Sequence, residues 1–204
     1  MDWDLALEIA GFIIGLVYLW YEYHASPLMW IASVVMPCIS LWIYWRKGLY
    51  ADFGINIYYL AIAVYGYLHW TLAGRDKVGH EVKQQRRITR TPAWAWWVCG
   101  AAFAFLWPVL GLTLIYFTDS TVPWCDSFTT ALSIVALWML ARKYAEQWLA
   151  WLVVDAVCVG LYIYKGIYFY AALYAVYTVI AWLGYRKWLR AMAAVPASEG
   201  NLAH

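Results

Sequence analysis

Long apolar stretches separated by short polar breaks dominate this chain. A helix that crosses a bilayer needs about 20 mostly apolar residues, because its backbone polar groups must be satisfied inside the helix. Seven stretches reach or approach that length, and we predict a transmembrane helix in each: 5–24, 28–45, 49–72, 93–117, 126–140, 148–164 and 168–185. The fifth is short, so we expect its outer end to begin nearer Val122.

The composition agrees with this pattern. Hydrophobic residues make up 66% of the 204 residues and charged residues 13%, against roughly 45–50% and about 25% in soluble domains. The formal net charge of +2 gives no reason to expect a nucleic-acid partner. The acidic start, Met1-Asp2-Trp3-Asp4, lacks the positive charge of a secretory signal, so the first stretch is interpreted as a retained helix. The predicted surroundings are a lipid bilayer.

The basic residues fall mainly on one side of the predicted helices. If the spans alternate in direction, eleven Lys and Arg residues lie in the loop after the third span, the loop after the fifth and the tail, and three lie on the other side. Cytoplasmic loops carry an excess of Lys and Arg. We therefore expect the N-terminus outside and the C-terminus in the cytoplasm.

The sequence also repeats itself at a spacing of 118 residues. The aligned positions include Lys47-Gly48-Leu49-Tyr50 with Lys165-Gly166-Ile167-Tyr168, Trp30 with Trp148, Tyr59 with Tyr177, Gly66-Tyr67 with Gly184-Tyr185, and Trp70 with Trp188. Two three-helix repeats joined by one linker helix run in the same direction. Such parallel repeats are a transporter architecture with a site near the midplane between the halves. A duplicated structural membrane protein is the alternative.

The repeat divides the chain into five parts. We predict a first three-helix repeat over 1–72, a basic cytoplasmic loop over 73–92, a linker transmembrane helix over 93–118, a second three-helix repeat over 119–188 and a cytoplasmic tail over 189–204.

Two polar residues break the repeat at depth in the predicted spans. Asp155 in the sixth span aligns with Pro37, and Asn56 in the third aligns with Tyr174. A carboxylate near the middle of a span costs at least about 2.5 kcal/mol on the insertion scale, so it is a functional candidate by default. The alternative for Asp155 is a structural carboxylate that is hydrogen-bonded to a neighbouring hydroxyl.

Helical spacing groups polar and aromatic residues on shared faces of the spans. The candidate substrate-binding residues are Trp148, Trp151, Asp155 and Tyr162 on the sixth span, Asp52, Asn56 and Tyr59 on the third, and Tyr177, the repeat partner of Tyr59, on the seventh. Tryptophan rings beside a carboxylate suit a flat organic cation, because the ring faces and the anion both attract it.

Other classes of membrane protein fit less well. A retinal-type photoreceptor needs a lysine deep in the last span, but Lys165 and Lys187 only bracket it. An intramembrane enzyme needs paired carboxylates, a Ser–His pair or an HExxH motif at depth, and the sequence has none. The four cysteines and four histidines are scattered, so we predict neither a metal site nor a cofactor. Proton coupling through Asp155 stays open beside passive carriage.

These motifs resemble the Pnu vitamin transporter family over nearly the whole chain. The most specific segments are Gly48-Leu49-Tyr50-Ala51-Asp52, Tyr65-Gly66-Tyr67, and Ala141-Arg142-Lys143 followed by Glu146-Gln147-Trp148, Trp151 and Asp155. The resemblance implies an all-α membrane protein of seven transmembrane helices with a SWEET-like 3+1+3 parallel repeat. It also implies a homotrimer in a bacterial inner membrane and facilitated diffusion of an unphosphorylated vitamin, which a cytoplasmic kinase then traps.

Members of this family divide among nicotinamide riboside, thiamine and riboflavin. The first two are flat heteroaromatic cations that suit Asp155 and the tryptophans, whereas riboflavin is neutral and ranks third. The chain departs from the family pattern at Asn56 and Leu137, where many members carry Gln. The family resemblance makes nicotinamide riboside the first expectation, and thiamine follows closely.

Overall fold

The computed structural model describes residues 16–31, 33–34, 37–38, 41, 50–71 and 87–194, without the side chains of residues 50–53. Helix α1 is described over 16–23, and α2 begins at residue 29. The remaining helices are α3 (Tyr50–Thr71), α4 (Ala93–Phe117), α5 (Pro123–Ala141), α6 (Gln147–Tyr164) and α7 (Tyr168–Ala193). No strand occurs among these residues, so the predicted all-α class with seven helices is confirmed.

The helix bounds follow the apolar pattern closely. Helix α4 has its predicted bounds, and α5 begins at Pro123, next to the expected Val122. Proline suits a first helical position because its fixed φ is helical and its missing N–H has no partner there anyway. Helix α7 continues to Ala193, past the apolar stretch that ends at residue 185. The Lys, Arg, Leu, Ala and Met residues of this extension all favour helix, so the helix outlasts the apolar run.

Four helices within the described part of the chain, α4 to α7, are long and apolar enough to cross a membrane. Their outward surfaces carry large apolar side chains such as Trp97, Phe105 and Phe117. In water, such a surface would be an aggregation hazard. In hydrocarbon it is the expected outer face of a spanning helix.

The chain divides into two compact units between Arg86 and Arg87. The first contains α1 to α3, and the second contains α4 to α7. The linker helix thus belongs to the second unit.

A buried tryptophan joins helices in the first unit. Trp30, at the start of α2, is 1% exposed, and its ring lies edge-on to Trp70 of α3 with ring centroids 5.7 Å apart. Gly66, one turn before Trp70, lies so close that a Cβ there would be 2.4 Å from the Trp30 ring. The glycine therefore makes room for the indole.

The second unit repeats this arrangement 118 residues later. Trp148 of α6 is 1% exposed and lies edge-on to Trp188 of α7 at 5.8 Å. A Cβ on Gly184 would be 2.7 Å from the Trp148 ring. The residue pairs that the sequence alignment found thus make the same contacts in each unit, although the parallel SWEET-like arrangement of the two units stays a prediction.

The turn after the first helix of each triad repeats as well. Ala25 follows α1 with φ +52°, and Lys143 follows α5 with φ +63°. In both turns the next amide donates to the carbonyl five residues back, Ser26 to Tyr21 at 2.9 Å and Tyr144 to Met139 at 3.0 Å. This is the Schellman motif, in which a left-handed residue ends the helix.

Aromatic rings pack α4 against α5. Trp107 Nε1 donates to the Trp124 carbonyl at 3.1 Å, and Phe103 meets Phe128 edge-on at 5.3 Å. Gly111 accommodates the Trp124 ring, because a Cβ there would lie 2.6 Å from it. This packing attaches the linker helix to the second triad along its length.

Candidate functional site

Asp155 lies near the middle of α6 and is 7% exposed. It is the one charged residue in the Gln147–Tyr164 sequence. No basic side chain within the described part of the chain forms an ion pair with its carboxylate, and none of the hydrogen bonds found there reaches it. A buried carboxylate without a counter-charge is costly, so a cationic ligand beside Asp155 would offset that cost.

Two tyrosines of α7 lie near this carboxylate, and a third from α6 packs against them. Tyr174 and Tyr177 of α7 lie within electrostatic range of Asp155. Tyr162 of α6 stacks on Tyr174 with ring centroids 5.2 Å apart and planes 20° apart, and the two side chains share a hydrogen bond. Tyr177 meets Tyr174 edge-on at 5.7 Å. The rings form a pre-organised aromatic wall beside the acid.

Trp151 precedes Asp155 by one helical turn and therefore lies on the same face of α6. It is half-buried, and its indole N–H is enclosed without an acceptor among the described residues. A buried donor without a partner loses free energy relative to water. A ligand that brings a hydrogen-bond acceptor to the Trp151 N–H would recover this free energy.

Trp148, a candidate ligand contact from the sequence, packs between two helices. Its ring fills the space between α6 and α7 against Gly184 and Trp188. Those contacts are helix packing, and the repeat-related Trp30 makes the same ones. The repeat was the available signal, since Trp30 stands at the matching position of the first half. A contact between Trp148 and a ligand stays a prediction.

The candidates on α3 belong to the first unit. Asn56 and Tyr59 are both partly buried, and the rings of Tyr58 and Tyr59 lie 5.9 Å apart. The side chain of Asp52 lies outside the described residues. The proposed contributions of these three residues to binding stay predictions.

Sequence reasoning missed the role of Tyr174. It noted this residue only as the counterpart of Asn56, whereas the structure stacks it on Tyr162 and places it near Asp155. The three-residue spacing between Tyr174 and Tyr177 was the available signal, because it puts both rings on one face of α7.

Glu146, which the sequence indicated only as part of a family-like motif, has a distant partner in the structure. The structure buries Glu146 and bonds its carboxylate to the backbone and hydroxyl of Thr91, both at 2.8 Å. Because Thr91 lies 55 positions away in the chain, no local pattern could have shown this contact.

The family match defines the class of this protein as a membrane transporter. A family profile described as "Nicotinamide mononucleotide transporter" matches residues 5–190. The chain therefore belongs to this transporter family, and it is not an enzyme.

Curated relatives agree with the family. The chain is 28% identical over 210 residues to the nicotinamide riboside transporter PnuC of Escherichia coli (strain K12), covering 92% of this chain and 87% of that protein. It is also 28% identical over 181 residues to the riboflavin/roseoflavin transporter RibM of Streptomyces davaonensis, covering 89% and 83%.

A crystal structure of the vitamin B3 transporter PnuC shares the fold. It superimposes with a TM-score of 0.62 at 18% identity over 89% of this chain and 79% of that one. The expected relationship to the Pnu vitamin transporters is thereby confirmed.

Proposed function

We propose that this transporter carries nicotinamide riboside, an unphosphorylated cationic nucleoside, by facilitated diffusion. The observation that carries the proposal is Asp155, a buried carboxylate that has no basic partner among the described residues and lies beside aromatic rings. A positively charged ring is attracted both by the carboxylate and by the faces of aromatic side chains. Its ribosyl and carboxamide groups remain available for polar contacts.

The chemistry of the ligand also suits Trp151. The carboxamide carbonyl of nicotinamide riboside is a hydrogen-bond acceptor, and the enclosed Trp151 indole N–H has none among the described residues. The flat pyridinium ring matches the Tyr162–Tyr174 wall in shape and charge. Tyr177 and Trp148 would supply further contacts from α6 and α7, and Asn56, Tyr59 and Asp52 are proposed as ligand contacts of the first unit.

The two curated relatives suggest ligands that differ in charge. The relative from Escherichia coli is named for nicotinamide riboside and the one from Streptomyces davaonensis for riboflavin. The isoalloxazine ring of riboflavin is neutral, so it gains nothing from an ionised carboxylate and leaves Asp155 without a counter-charge. The buried acid therefore favours the cation, and thiamine is the closest alternative of the same charge.

Isothermal titration with three vitamins tests the substrate. Because a buried anion attracts a cation and a neutral ring gains nothing from it, we expect measurable binding of nicotinamide riboside and none of riboflavin. Thiamine titrated in parallel tests whether the site distinguishes ligands by more than their charge and planarity. Tight thiamine binding without a response to nicotinamide riboside would reassign the substrate, and riboflavin binding alone would contradict the charge argument.

Uptake into proteoliposomes tests the mode of transport. With no ion gradient and an empty lumen, labelled nicotinamide riboside is expected to reach equal concentrations inside and outside, because one buried carboxylate makes a poor proton relay. Protein-free liposomes are the control. Accumulation above the outside concentration under an imposed proton gradient would show coupled transport and would overturn facilitated diffusion.

The proposal extends to topology and assembly. The excess of Lys and Arg in the loops on one side favours an N-terminus outside and a C-terminus in the cytoplasm of a bacterial inner membrane. The family resemblance favours a homotrimer. Trapping by a cytoplasmic kinase would keep the internal concentration of free vitamin low, so passive carriage suffices for net uptake.

A further inference from the structure

We infer that a polar clamp at the start of α4 ties the linker helix to the α5–α6 turn, so that α4 moves with helices α5 to α7 during transport. Glu146 and Arg142 are then positioning residues of the carrier. The inference rests on the proposed transport function.

The backbone forms the first part of the clamp. Thr89, four residues before α4, pairs with Tyr144 in an isolated parallel bridge. The Thr89 amide donates to the Lys143 carbonyl at 3.2 Å, and the Ala145 amide donates to the Thr89 carbonyl at 2.9 Å. Both the N–H and the C=O group of Thr89 are thus hydrogen-bonded to the turn between α5 and α6.

Glu146 forms the second part. Its Oε2 atom accepts from both the amide and the hydroxyl of Thr91 at 2.8 Å, and the side chain is 7% exposed. Hydrogen bonds to an ionised acceptor are stronger than neutral ones. Thr91 directly precedes Pro92, the residue that caps α4, so the contact fixes the point where the linker helix begins.

Arg142 forms the third part. Its guanidinium lies 5.8 Å from the ring centre of Trp94 on α4 and 5.4 Å from that of Trp138 on α5. The two indoles meet edge-on at 6.3 Å. A guanidinium over indole faces is a favourable cation–π arrangement, and here it joins the first turn of α4 to the last turn of α5.

The first unit has the same turn but not the clamp residues. At the position of Arg142 it has His24, which lies 4.3 Å from the ring of Trp20, the repeat partner of Trp138. At the position of Glu146 it has Leu28, which is 50% exposed.

The turn's frame is therefore shared by both halves, whereas the side chains that reach α4 occur only in the half that the linker helix joins. Glu146 and Arg142 differ from their counterparts in the first turn. Glu146 contacts Thr91 before α4, and Arg142 contacts Trp94 in its first turn. Carriers of repeated architecture work by moving one largely rigid bundle against another. A linker helix must then travel with one of the two, and the clamp assigns α4 to the second.

Replacing Glu146 by the residue of the first turn tests the clamp. For Glu146→Leu in proteoliposomes we expect the initial rate of nicotinamide riboside uptake to fall roughly tenfold, because two charge-assisted hydrogen bonds are lost. The Kd from isothermal titration is expected to stay within about twofold, since Glu146 is no ligand contact in the proposal. Thr91→Val, which removes only the hydroxyl donor, is expected to give a smaller loss of rate.

A disulfide supplies the decisive control. Bridge-paired residues lie roughly 5 Å apart, inside the Cα separation of about 4.4–6.8 Å that a disulfide spans. Thr89→Cys with Tyr144→Cys is made with the exposed Cys38 and Cys125 changed to Ser. We expect the oxidised disulfide variant to take up nicotinamide riboside at the same rate as the reduced variant. In the Glu146→Leu background, we expect the disulfide to restore uptake.

Three results would overturn the inference. The first is an undiminished uptake rate in Glu146→Leu. The second is a rise in its Kd that matches the fall in rate. The third is reversible arrest of transport by the oxidised disulfide in the otherwise native protein. Failure of the proposed function is distinguishable from these, because the parent protein itself would then show no nicotinamide riboside uptake.

Discussion

Asp155→Asn is expected to weaken nicotinamide riboside binding at least about 30-fold, the equivalent of roughly 2 kcal/mol or more for the loss of one partner of a buried charge pair. The amide keeps the size and polarity of the side chain and removes only its charge. Isothermal titration measures the effect. The reduced dihydropyridine form of the same nucleoside has the ribose and the carboxamide without the charge, so its affinity is expected to change little.

Two further variants provide a control and a second test of the same site. Asp126→Asn removes a carboxylate that is paired with Lys165 at 3.5 Å and is partly exposed, so it is expected to leave the Kd unchanged. Trp151→Ala is expected to weaken the cation more than tenfold, through the lost ring face and N–H. Unchanged affinity in both Asp155→Asn and Trp151→Ala would remove these residues from the site. Equal losses for the charged and uncharged ligands would show that charge is not what Asp155 recognises.

Gly184→Val is expected to destabilise the second unit by at least about 2 kcal/mol, because even a Cβ at this position would lie 2.7 Å from the enclosed Trp148 ring. For a chain of this size such a loss lowers Tm by roughly 4–8 °C. Thermal unfolding in detergent micelles measures it. Gly66→Val is expected to act in the same way, since a Cβ there would lie 2.4 Å from Trp30.

Gly160→Val provides the matched comparison within α6. No atom of the described residues lies within 4 Å of a Cβ at Gly160, so this substitution adds the same side chain without a clash. Its Tm is expected to stay near that of the parent protein. If Gly184→Val and Gly160→Val had the same Tm, the close approach of α7 to Trp148 would not be a determinant of stability.

The two sets of predictions concern different parts of the repeat. Residues that both halves keep, such as Trp30 with Trp148 and Gly66 with Gly184, hold helices together in each unit. Residues that differ between the halves, such as Asp155 against Pro37, carry the proposed chemistry. Substitution of the packed glycines is therefore expected to change Tm, and substitution of Asp155 to change Kd.

The sequence by itself determined the helices and their repeat. In hydrocarbon every backbone polar group must be bonded within its own helix, so an apolar run of sufficient length has little choice of structure. This is why the bounds of α4 were predicted correctly and why α5 began next to the expected residue. The depth of Asp155 was readable for the same reason, since rise per residue fixes position along a span.

Only the tertiary structure decided which side chains meet. Trp148 and Trp151 share one face of α6 and both keep an enclosed N–H without an acceptor among the described residues, yet the Trp148 ring packs against Gly184 whereas Trp151 is only half-buried. Tyr174 joins the proposed site and Glu146 the clamp through partners on other helices. Periodicity reports the direction of a side chain from its own helix axis, whereas its partner depends on how neighbouring helices approach, and close approach is set by single small residues such as Gly184.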